Sequence, residues 1–517
     1  MSDDYTDHER HEDIKVLHGM GYAQELSRSM SKFSNFAISF SIICILAGGI
    51  NSFAQAISSV GGAGAGIGWI VGCMISGMFA LAMAQIASAF PTAGGLYHWA
   101  SILGNRFTGW ITAWMNLLGL VTVLGAINIG TAYFFAGSFG AWFGFSGTAG
   151  EVVAFSAVVT VIQALFNHLG IKLTAMITDI SGYIIFVATA MLILGCLWYA
   201  PAIDISRLWT FTNYSGAAGG NVFPESSNMG YLFLLSLLLP LFTITGYDAS
   251  AHTSEETVRA AHSVPAAIIS SVLWSSLIGW VMICAITLAI PDMATAAGQG
   301  WSMFFLTMDE ILPSGLKNII YFLILVSQFI CGLATVTSAS RMLFAFSRDG
   351  GMPIGSAALA KVSPKYRTPV TAIWTAAVLE ILYVWAAQFI VVGDVNIYTI
   401  VVNSTLVFLF LSFAIPLTLG MFAYGTAKWP TPGPWAMSAG VYKLVSFLSI
   451  VGMCIIFYVA IQPPNDKVLW IVLAFIALAL ILWVTVENRR FQGPPIGDQV
   501  RERAASIAAA EAAVGQK

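Results

Sequence analysis

The chain has 517 residues, of which 58% are hydrophobic and only 9% are charged, whereas roughly 25% of the residues in a soluble domain are charged. With a mean hydropathy of +0.81, this composition excludes a water-soluble enzyme and indicates a protein that crosses a membrane many times. The net charge of -3 provides no positive field, so it argues against a nucleic-acid partner.

Long uncharged runs predict an all-α polytopic membrane protein. After a polar segment at 1–35, which has no features of a cleaved signal peptide, about 20 apolar residues are needed for each helical span. Twelve runs meet this length: 36–59, 67–90, 107–137, 151–169, 174–198, 229–251, 264–290, 317–346, 369–391, 396–424, 441–461 and 467–486. A membrane β-barrel is excluded because its strands are alternating segments of about ten residues.

The distribution of basic residues predicts the orientation of these spans. Lys and Arg concentrate in cytoplasmic loops of membrane proteins. If both termini are cytoplasmic, all of the 22 Lys and Arg residues except Arg207, Lys317 and Lys467 lie on the cytoplasmic side. We therefore expect a multi-pass protein of the plasma membrane with both termini inside the cell.

The first span contains an unusual centre, with Gly48, Gly49, Ile50 and Asn51 in sequence. A glycine pair followed by Asn weakens a helix. Two interpretations are open for this segment alone, namely close helix packing through small residues and local unwinding.

The sixth span also departs from a regular apolar helix. Pro240, Gly246 and the ionisable Asp248 all lie within it. An acidic residue inside a span is expensive and is by default a functional candidate, although a structural carboxylate that caps a half-helix is the alternative.

Two interrupted spans five apart are typical of transporters built from inverted repeats. The predicted organisation is a transport core at 36–424 with repeats at 36–198 and 229–424, two further helices at 425–486 and a cytoplasmic tail at 487–517.

Three sequence motifs carry a family resemblance. The run AQIASAFPTAGGLYHWA at Ala84–Ala100 resembles the segment after helix two in the amino acid–polyamine–organocation superfamily. The runs GYDASAHTSEET at Gly246–Thr257 and SRMLFAFSRDGGMP at Ser340–Pro353 are similar to its amino acid/choline permease branch, which includes GABA and choline permeases. With the order of the spans, the resemblance extends over about residues 25–490.

The resemblance implies a LeuT-type fold, with helices one and six unwound around a central site, and secondary transport of an amino acid or amine by alternating access. The substrate-binding residues that it implies are Gly48, Gly49, Ile50, Asn51, Phe242, Thr243, Thr245 and Gly246. Backbone of the first four would receive a substrate carboxylate. Carbonyls near Phe242 would receive the ammonium group, and the Phe242 ring would act as a gate or a cation–π face.

The candidate coupling and gating residues come from the same resemblance, except Glu380, which is a candidate because it is an acidic residue deep within span nine. They are Asp248, Tyr247, Thr335, Thr337, Ser338 and Glu380. A proton is the favoured coupling ion, but span five lacks the internal Lys that some proton-coupled relatives carry and has only Asp179 and Ser181 near its cytoplasmic end. The hydroxyls of span eight correspond to an ion site of sodium-coupled relatives, or to ordinary helix packing.

Several other polar residues have two interpretations. Glu380 has either a proton-linked role or a structural bond to a neighbouring helix or a dimer partner, and a homo-oligomer is compatible with the sequence. The polar residues of spans three and ten face the site or bond between helices, with interhelical bonds favoured; they are Asn116, Asn128, Asn403, Ser404 and Thr405.

The segments between the spans give further expectations. His98 and His252 have no second ligand at metal spacing, so neither a metal site nor a cofactor is expected. We expect His252 and Glu255 to be solvated, Gly61–Gly68 to form an external turn, and Thr92–Arg106 to lie amphipathically along the inner face as part of a gate. The six cysteines are typical of small apolar residues.

A GABA-like zwitterion is the favoured substrate, since a choline site needs an aromatic cage that Phe242, Tyr247, Tyr97 and Trp69 do not supply on one face. An exchanger and a choline or polyamine permease are the alternatives within transport. A permease-like nutrient sensor is the alternative of a different class, which the short tails disfavour. An intramembrane enzyme is not expected, because no Ser–His pair, aspartate pair or HExxH motif lies within the spans.

Overall fold

The computed structural model describes residues 6–389, 397–495 and 498–515, and this part of the chain is helical throughout its regular structure. Within these described ranges, eleven helices are long and apolar enough to cross a membrane. The all-α class is confirmed. The predicted span 229–251 is not among the eleven because it is broken into short helices, so a count of twelve membrane helices is not confirmed.

The first half of the chain contains ten α-helices. They are α1 Asp7–Gly19, α2 Lys32–Ile43, α3 Gly48–Asn51, α4 Phe53–Val60, α5 Trp69–Ala89, α6 Leu96–Leu103, α7 Arg106–Ser138, α8 Gly140–Phe143, α9 Ala149–His168 and α10 Ile171–Tyr199. Several helices begin at a polar capping residue. The Asn105 side chain, for example, accepts from the amides of Phe107 and Thr108 at the start of α7. The predicted spans one to five correspond to α2–α4, α5, α7, α9 and α10.

The second half adds α11 Met229–Ser236, α12 Leu238–Thr243, α13 Ala249–His252, α14 Ala260–Ala289, α15 Met293–Gly298, α16 Met303–Ile311, α17 Ser314–Arg348, α18 Ser356–Leu359, α19 Val370–Phe389, α20 Ile397–Ala423, α21 Ala439–Ala460, α22 Lys467–Leu482, α23 Asn488–Arg490, α24 Asp498–Glu502 and α25 Ala504–Ala513. The predicted end of span nine at 390–391 and start of span ten at 396 lie outside the described residues, as do parts of both tails.

Burial separates central helices from peripheral ones. The helices α2 and α7 are enclosed by their neighbours, whereas α22 exposes Trp470, Leu478 and Ile481. Apolar side chains on such an outer face are stable against lipid, because helices satisfy their own backbone hydrogen bonds. The centre of the bundle is therefore formed by α2 and α7 with the short helices α12 and α13.

The glycine cluster at 61–68 is not an external turn as expected. Residues Gly64–Gly68 form a π-helical turn that leads directly into α5. A Cβ atom at Gly62 would lie 2.1 Å from the Arg207 carbonyl oxygen, and one at Gly66 would lie 2.2 Å from that of Leu208. The glycines are needed because a neighbouring loop packs its backbone against them.

Candidate functional site

The first span is interrupted between Ile43, where α2 ends, and Gly48, where α3 begins. The amides of Gly48, Gly49 and Asn51 donate to carbonyl oxygens four residues earlier, at 3.1, 3.1 and 2.9 Å. The break therefore precedes the glycine pair. In the described part of the chain, no hydrogen bond uses the amides of Ile45 and Leu46.

The sixth span is interrupted between Thr243 at the end of α12 and Ala249 at the start of α13. Gly246 has φ +88°, and a Cβ atom there would lie 2.2 Å from Cγ2 of Ile42, so only glycine fits this crossing with α2. Within the described residues, the amides from Thr245 to Asp248 and the carbonyls from Phe242 to Thr245 take part in no hydrogen bond. The sixth span is thus unwound over Ile244–Asp248 into a non-helical segment that ends in a turn and has polar backbone groups without partners among the described residues.

The two breaks meet around a small central cavity of about 20 Å³, which is room for roughly one water molecule. A Cβ atom at Gly48 would lie 2.8 Å from the Thr243 Cα atom, so the segments touch there. The cavity is lined by Ile42, Ile43, Ala47, Gly48, Asn51, Val123, Ile127, Phe242, Thr243, Thr245, Cys331 and Tyr398. Five of the predicted substrate residues are among them.

Three other predicted substrate residues lie beside this cavity and not on it. Gly49 is turned toward α14, because a Cβ atom there would meet the Met282 Cε atom at 3.2 Å. Ile50 faces the outer vestibule described below. Gly246 occupies the crossing with Ile42.

The hydroxyls predicted for an ion site on α17 are bonded elsewhere. Thr335 and Ser338 donate to carbonyl oxygens of their own helix, at 2.9 and 3.4 Å. Thr337 donates to Asn167 Oδ1 on α9 at 2.7 Å. These three side chains do not converge on the central cavity.

A second cavity, the outer vestibule, lies on the face opposite the chain termini and has a volume of about 460 Å³. It is lined by Ile50, Asn51, Gly130, Tyr133, Phe134, Gly137, Trp301, Ser302, Phe304, Phe305, Ile397 and Tyr398. Asn51 and Tyr398 line both cavities. These two side chains separate the vestibule from the central cavity.

Asp248 lies on the other side of the central cavity, toward the face that carries the termini, and is fully buried. Its Oδ2 atom is 3.2 Å from Asn116 Nδ2 on α7 and 3.3 Å from His252 Nε2. Its Oδ1 atom has no hydrogen-bond partner among the described residues. Next to it, Tyr247 packs its ring against Phe413 at 5.5 Å between centroids.

His252 and Glu255 were expected to be solvated, and that expectation is wrong, because both are buried. His252 Nδ1 lies 3.1 Å from the Ala93 carbonyl oxygen. Glu255 accepts from the Ala93 amide at 3.0 Å and from both terminal nitrogens of Arg348, at 2.8 and 3.0 Å. The loop before α6 thus folds over the sixth span and supplies partners to both side chains.

A charged cluster closes the protein on this face, and we call it the inner closure. It consists of Glu255, Arg348, Tyr22, Tyr97 and Asp349. Asp349 accepts from the hydroxyls of both tyrosines, at 2.7 and 3.0 Å, and the Arg348 guanidinium lies 3.9 Å from the centre of the Tyr22 ring. Burial raises the pKa of Asp349, and the charge of Arg348 opposes this shift.

The segment Thr92–Arg106 is not an amphipathic surface helix as expected. Its helix α6 buries every residue from Leu96 to Leu103 except Ile102, and α6 packs against α7 and α20. The reason is that the loop and α6 cover the sixth span, so both of their faces contact protein.

Most other polar candidates form bonds between or within helices. Glu380 is buried and accepts from Asn128 at 3.2 Å and from Thr160 at 2.7 Å. Asn403 and Thr405 donate to carbonyls of their own helix. Among the described residues, no group of three His, Cys, Asp or Glu side chains could hold a metal ion.

Sequence reasoning missed seven residues that line the central cavity, namely Ile42, Ile43, Ala47, Val123, Ile127, Cys331 and Tyr398. A tyrosine among the apolar residues at the start of span ten was the one available signal for Tyr398. The aliphatic residues have no distinguishing local pattern.

Comparison with known proteins extends these observations. A family model described as "Amino acid permease" matches residues 30–486. Amino-acid permease BAT1 of Arabidopsis thaliana is 31% identical over 512 residues, which cover 92% of this chain and 95% of that protein. The BAT1 homolog of Oryza sativa subsp. japonica is 30% identical over 508 residues, with 92% and 94% covered.

A solved structure, that of MhsT in complex with L-phenylalanine, is similar in fold with a TM-score of 0.59 at 14% identity, and covers 84% of this chain and 99% of MhsT. This likeness confirms the LeuT-type fold. The family match over residues 30–486 and the three motifs agree, and both indicate a protein that transports amino acids across a membrane. The chain belongs to the amino acid permease family of the amino acid–polyamine–organocation superfamily.

Proposed function

We propose that the protein is a secondary active transporter that moves a small GABA-like zwitterion across the plasma membrane by alternating access, coupled to protons. The observation that carries this proposal is the pair of helix breaks, at Cys44–Ala47 and Ile244–Asp248, which face one central cavity. The distribution of Lys and Arg supports a cytoplasmic location for both termini.

The free backbone groups of the two breaks match the two ends of a zwitterion. The amides of Ile45 and Leu46 are free to donate to a carboxylate, and the carbonyls from Phe242 to Thr245 are free to accept from an ammonium group. A buried polar group without a partner costs about 1–3 kcal/mol. A substrate that satisfies several of these groups therefore gains binding free energy that an apolar molecule does not.

This assignment moves the carboxylate contact from the backbone of Gly48–Asn51 to the amides of Ile45 and Leu46, in the break before that segment. Gly48 retains a role because it lets the two breaks approach each other. The apolar walls, which include Val123, Ile127 and Phe242, fit the methylene chain of a γ-amino acid.

Alternating access needs two barriers, one on each side of the cavity. We assign one to the Asn51 and Tyr398 side chains, which the vestibule and the cavity share. The other is the inner closure with Glu255 and Arg348. Both barriers are in place, and the central cavity of about 20 Å³ is too small for an amino acid, which supports an occluded state of the protein.

We assign proton coupling to Asp248 because it is buried between the central cavity and the inner closure and has one carboxylate oxygen without a partner. An intramembrane carboxylate in such a position is typical of proton relays. The hydroxyls of Thr335, Thr337 and Ser338 support sodium coupling less well, because each is bonded away from the cavity.

The test is uptake of labelled GABA into proteoliposomes under an inward proton gradient, with unlabelled alanine, arginine, choline and putrescine as competitors. Accumulation that depends on the gradient and is inhibited by alanine but not by choline or putrescine is the expected result. Uptake only into vesicles preloaded with substrate would show an exchanger and contradict the coupling. Inhibition by choline or putrescine alone would contradict the zwitterion.

A further inference from the structure

The protonation of His252 can be deduced from its two hydrogen bonds. Its Nδ1 atom lies 3.1 Å from the Ala93 carbonyl oxygen. A carbonyl oxygen only accepts, so Nδ1 carries a hydrogen. The remaining nitrogen, Nε2, lies 3.3 Å from the Asp248 Oδ2 atom.

Only two arrangements make the second contact a hydrogen bond. Either the imidazole is doubly protonated and donates to the Asp248 carboxylate, or a neutral imidazole accepts from a protonated Asp248. Both contain one proton more than a carboxylate beside a neutral imidazole. Without that proton, two lone pairs would face each other between fully buried side chains, which is unfavourable in a medium of low dielectric constant.

Within the described residues, the arginines around the pair are already bonded to other groups, so none of them replaces this proton. The polar and charged side chains that face the turn after α12 and the segment after it are Asn35 and Ser39 from α2, Asn116 from α7, Arg341 and Arg348 from α17, Arg28 from the loop before α2, and Tyr247, Glu255 and Glu256 from the turn and its flanks. Arg28 donates to the carbonyl oxygens of Ser254 and Thr257 and lies 3.9 Å from the Asp13 carboxylate. Arg341 is bonded to Glu256 and Arg348 to Glu255. The loop before α6 presents backbone, at Ala93 and Gly95.

Residue Ala93 connects the pair to the inner closure. Its carbonyl oxygen accepts from His252, and its amide donates to Glu255, which forms the ion pair with Arg348. A change in the His252 hydrogen bonds therefore acts on the residue whose amide the closing ion pair holds, across two adjacent peptide units.

We propose that Asp248 and His252 together form a single-proton site, occupied in this occluded state, and that His252 transmits its occupancy to the inner closure through Ala93. The inference rests on the proposed proton-coupled function and adds His252 as a positioning residue. Proton loss to the cytoplasm leaves the carboxylate facing the Nε2 lone pair, and the repulsion displaces the imidazole and disturbs its hydrogen bond to the Ala93 carbonyl oxygen. The inner closure then opens.

The test compares His252→Gln with the wild type in proteoliposomes. Glutamine retains one donor but holds no exchangeable proton at assay pH. We expect GABA–GABA exchange within about threefold of the wild type, whereas gradient-driven accumulation and the proton influx per GABA, read with an entrapped pH dye, fall by about tenfold or more. The pH profile of uptake between pH 5 and 8 should become flat.

His98→Gln is the matched control, because it is the same substitution at another buried histidine of this face. Burial lowers the pKa of His98 to about 3, so it is neutral at every assay pH. This variant should keep the coupled accumulation and the pH profile of the wild type.

Asp248→Asn is the second variant, and it keeps the inference testable if His252→Gln does not fold. It should also abolish coupled accumulation, and the double variant should be no worse than either single one, as expected for one site. Coupled, pH-dependent uptake by either folded single variant would overturn the inference. A wild type that moves GABA without protons would instead overturn the proposed coupling.

Discussion

Substitution of Gly48 by alanine tests the position of the substrate. The added Cβ atom would lie 2.8 Å from the Thr243 Cα atom, 3.0 Å from its Oγ1 and 3.2 Å from its Cβ. Since carbon atoms in contact are about 3.5–4.0 Å apart, the backbone at the end of α12 must shift by roughly 0.7–1.2 Å. Overpacking of this kind costs about 1–3 kcal/mol, which corresponds to an increase of about 5- to 150-fold in the half-saturation concentration for GABA.

The measurement is the concentration dependence of labelled GABA uptake at matched amounts of reconstituted protein, with melting temperature as a check on folding. Gly77→Ala is the control, because nothing lies within 4 Å of a Cβ atom at that position on α5. Gly49→Ala should have a smaller effect, since its Cβ atom meets the movable end of Met282. A Gly48→Ala variant that keeps wild-type half-saturation, or a Gly77→Ala variant that loses as much, would refute the position of the site.

Three further predictions concern pairs of residues away from the cavity. Burial alone would raise the pKa of Glu255, but the charge and hydrogen bonds of Arg348 outweigh burial and lower this pKa. The ionised carboxylate therefore stabilises the fold at pH values above the pKa of an unfolded Glu, about 4.3. The difference in melting temperature between the wild type and Glu255→Gln should shrink as the pH falls below about 4. Glu380→Gln should keep coupled GABA uptake, because the glutamine amide still bonds with Thr160. Glu380→Ala should lower the free energy of unfolding by about 1–3 kcal/mol, because it leaves buried polar partners without a bond. Loss of coupling in the Gln variant would assign Glu380 a proton-linked role. Glu511→Ala removes the carboxylate that accepts from His18 of α1 and from the Gln24 amide in the loop after it. Limited trypsin digestion should therefore release the C-terminal tail faster, while the half-saturation concentration for GABA is unchanged. An unaltered digestion rate would contradict this anchoring.

The broken sixth span could be predicted because Pro240, Gly246 and Asp248 each disfavour an apolar helix, and all three lie in one run. The break in the first span was predicted in the right span but a few residues too late. Gly48 and Gly49 are helical, and because they have no side chain, Thr243 can pack against Gly48 and α14 against Gly49. Helix propensity describes the cost of glycine in a helix, but it contains no information on which neighbour needs the space.

The partners of the buried polar residues could not be predicted from local sequence. His252 and Glu255 belong to a recognisable motif, but their burial depends on the loop at Ala93, which lies 159 residues before His252, and on Arg348, which lies 93 residues after Glu255. A histidine near the end of a span is compatible with solvent until such long-range contacts are known. The same holds for Glu380, whose partners lie on two other helices.

The two barriers differ in what must move to open them, and this has a kinetic consequence. Passage between the vestibule and the central cavity is blocked by the side chains of Asn51 and Tyr398, and side-chain rotations are completed in nanoseconds when space permits. The opposite exit is closed by a buried ion pair and by the loop before α6, and such rearrangements of packed segments take microseconds to milliseconds or longer. We therefore expect substrate to equilibrate rapidly with the vestibule side, and release toward the termini to set the turnover rate.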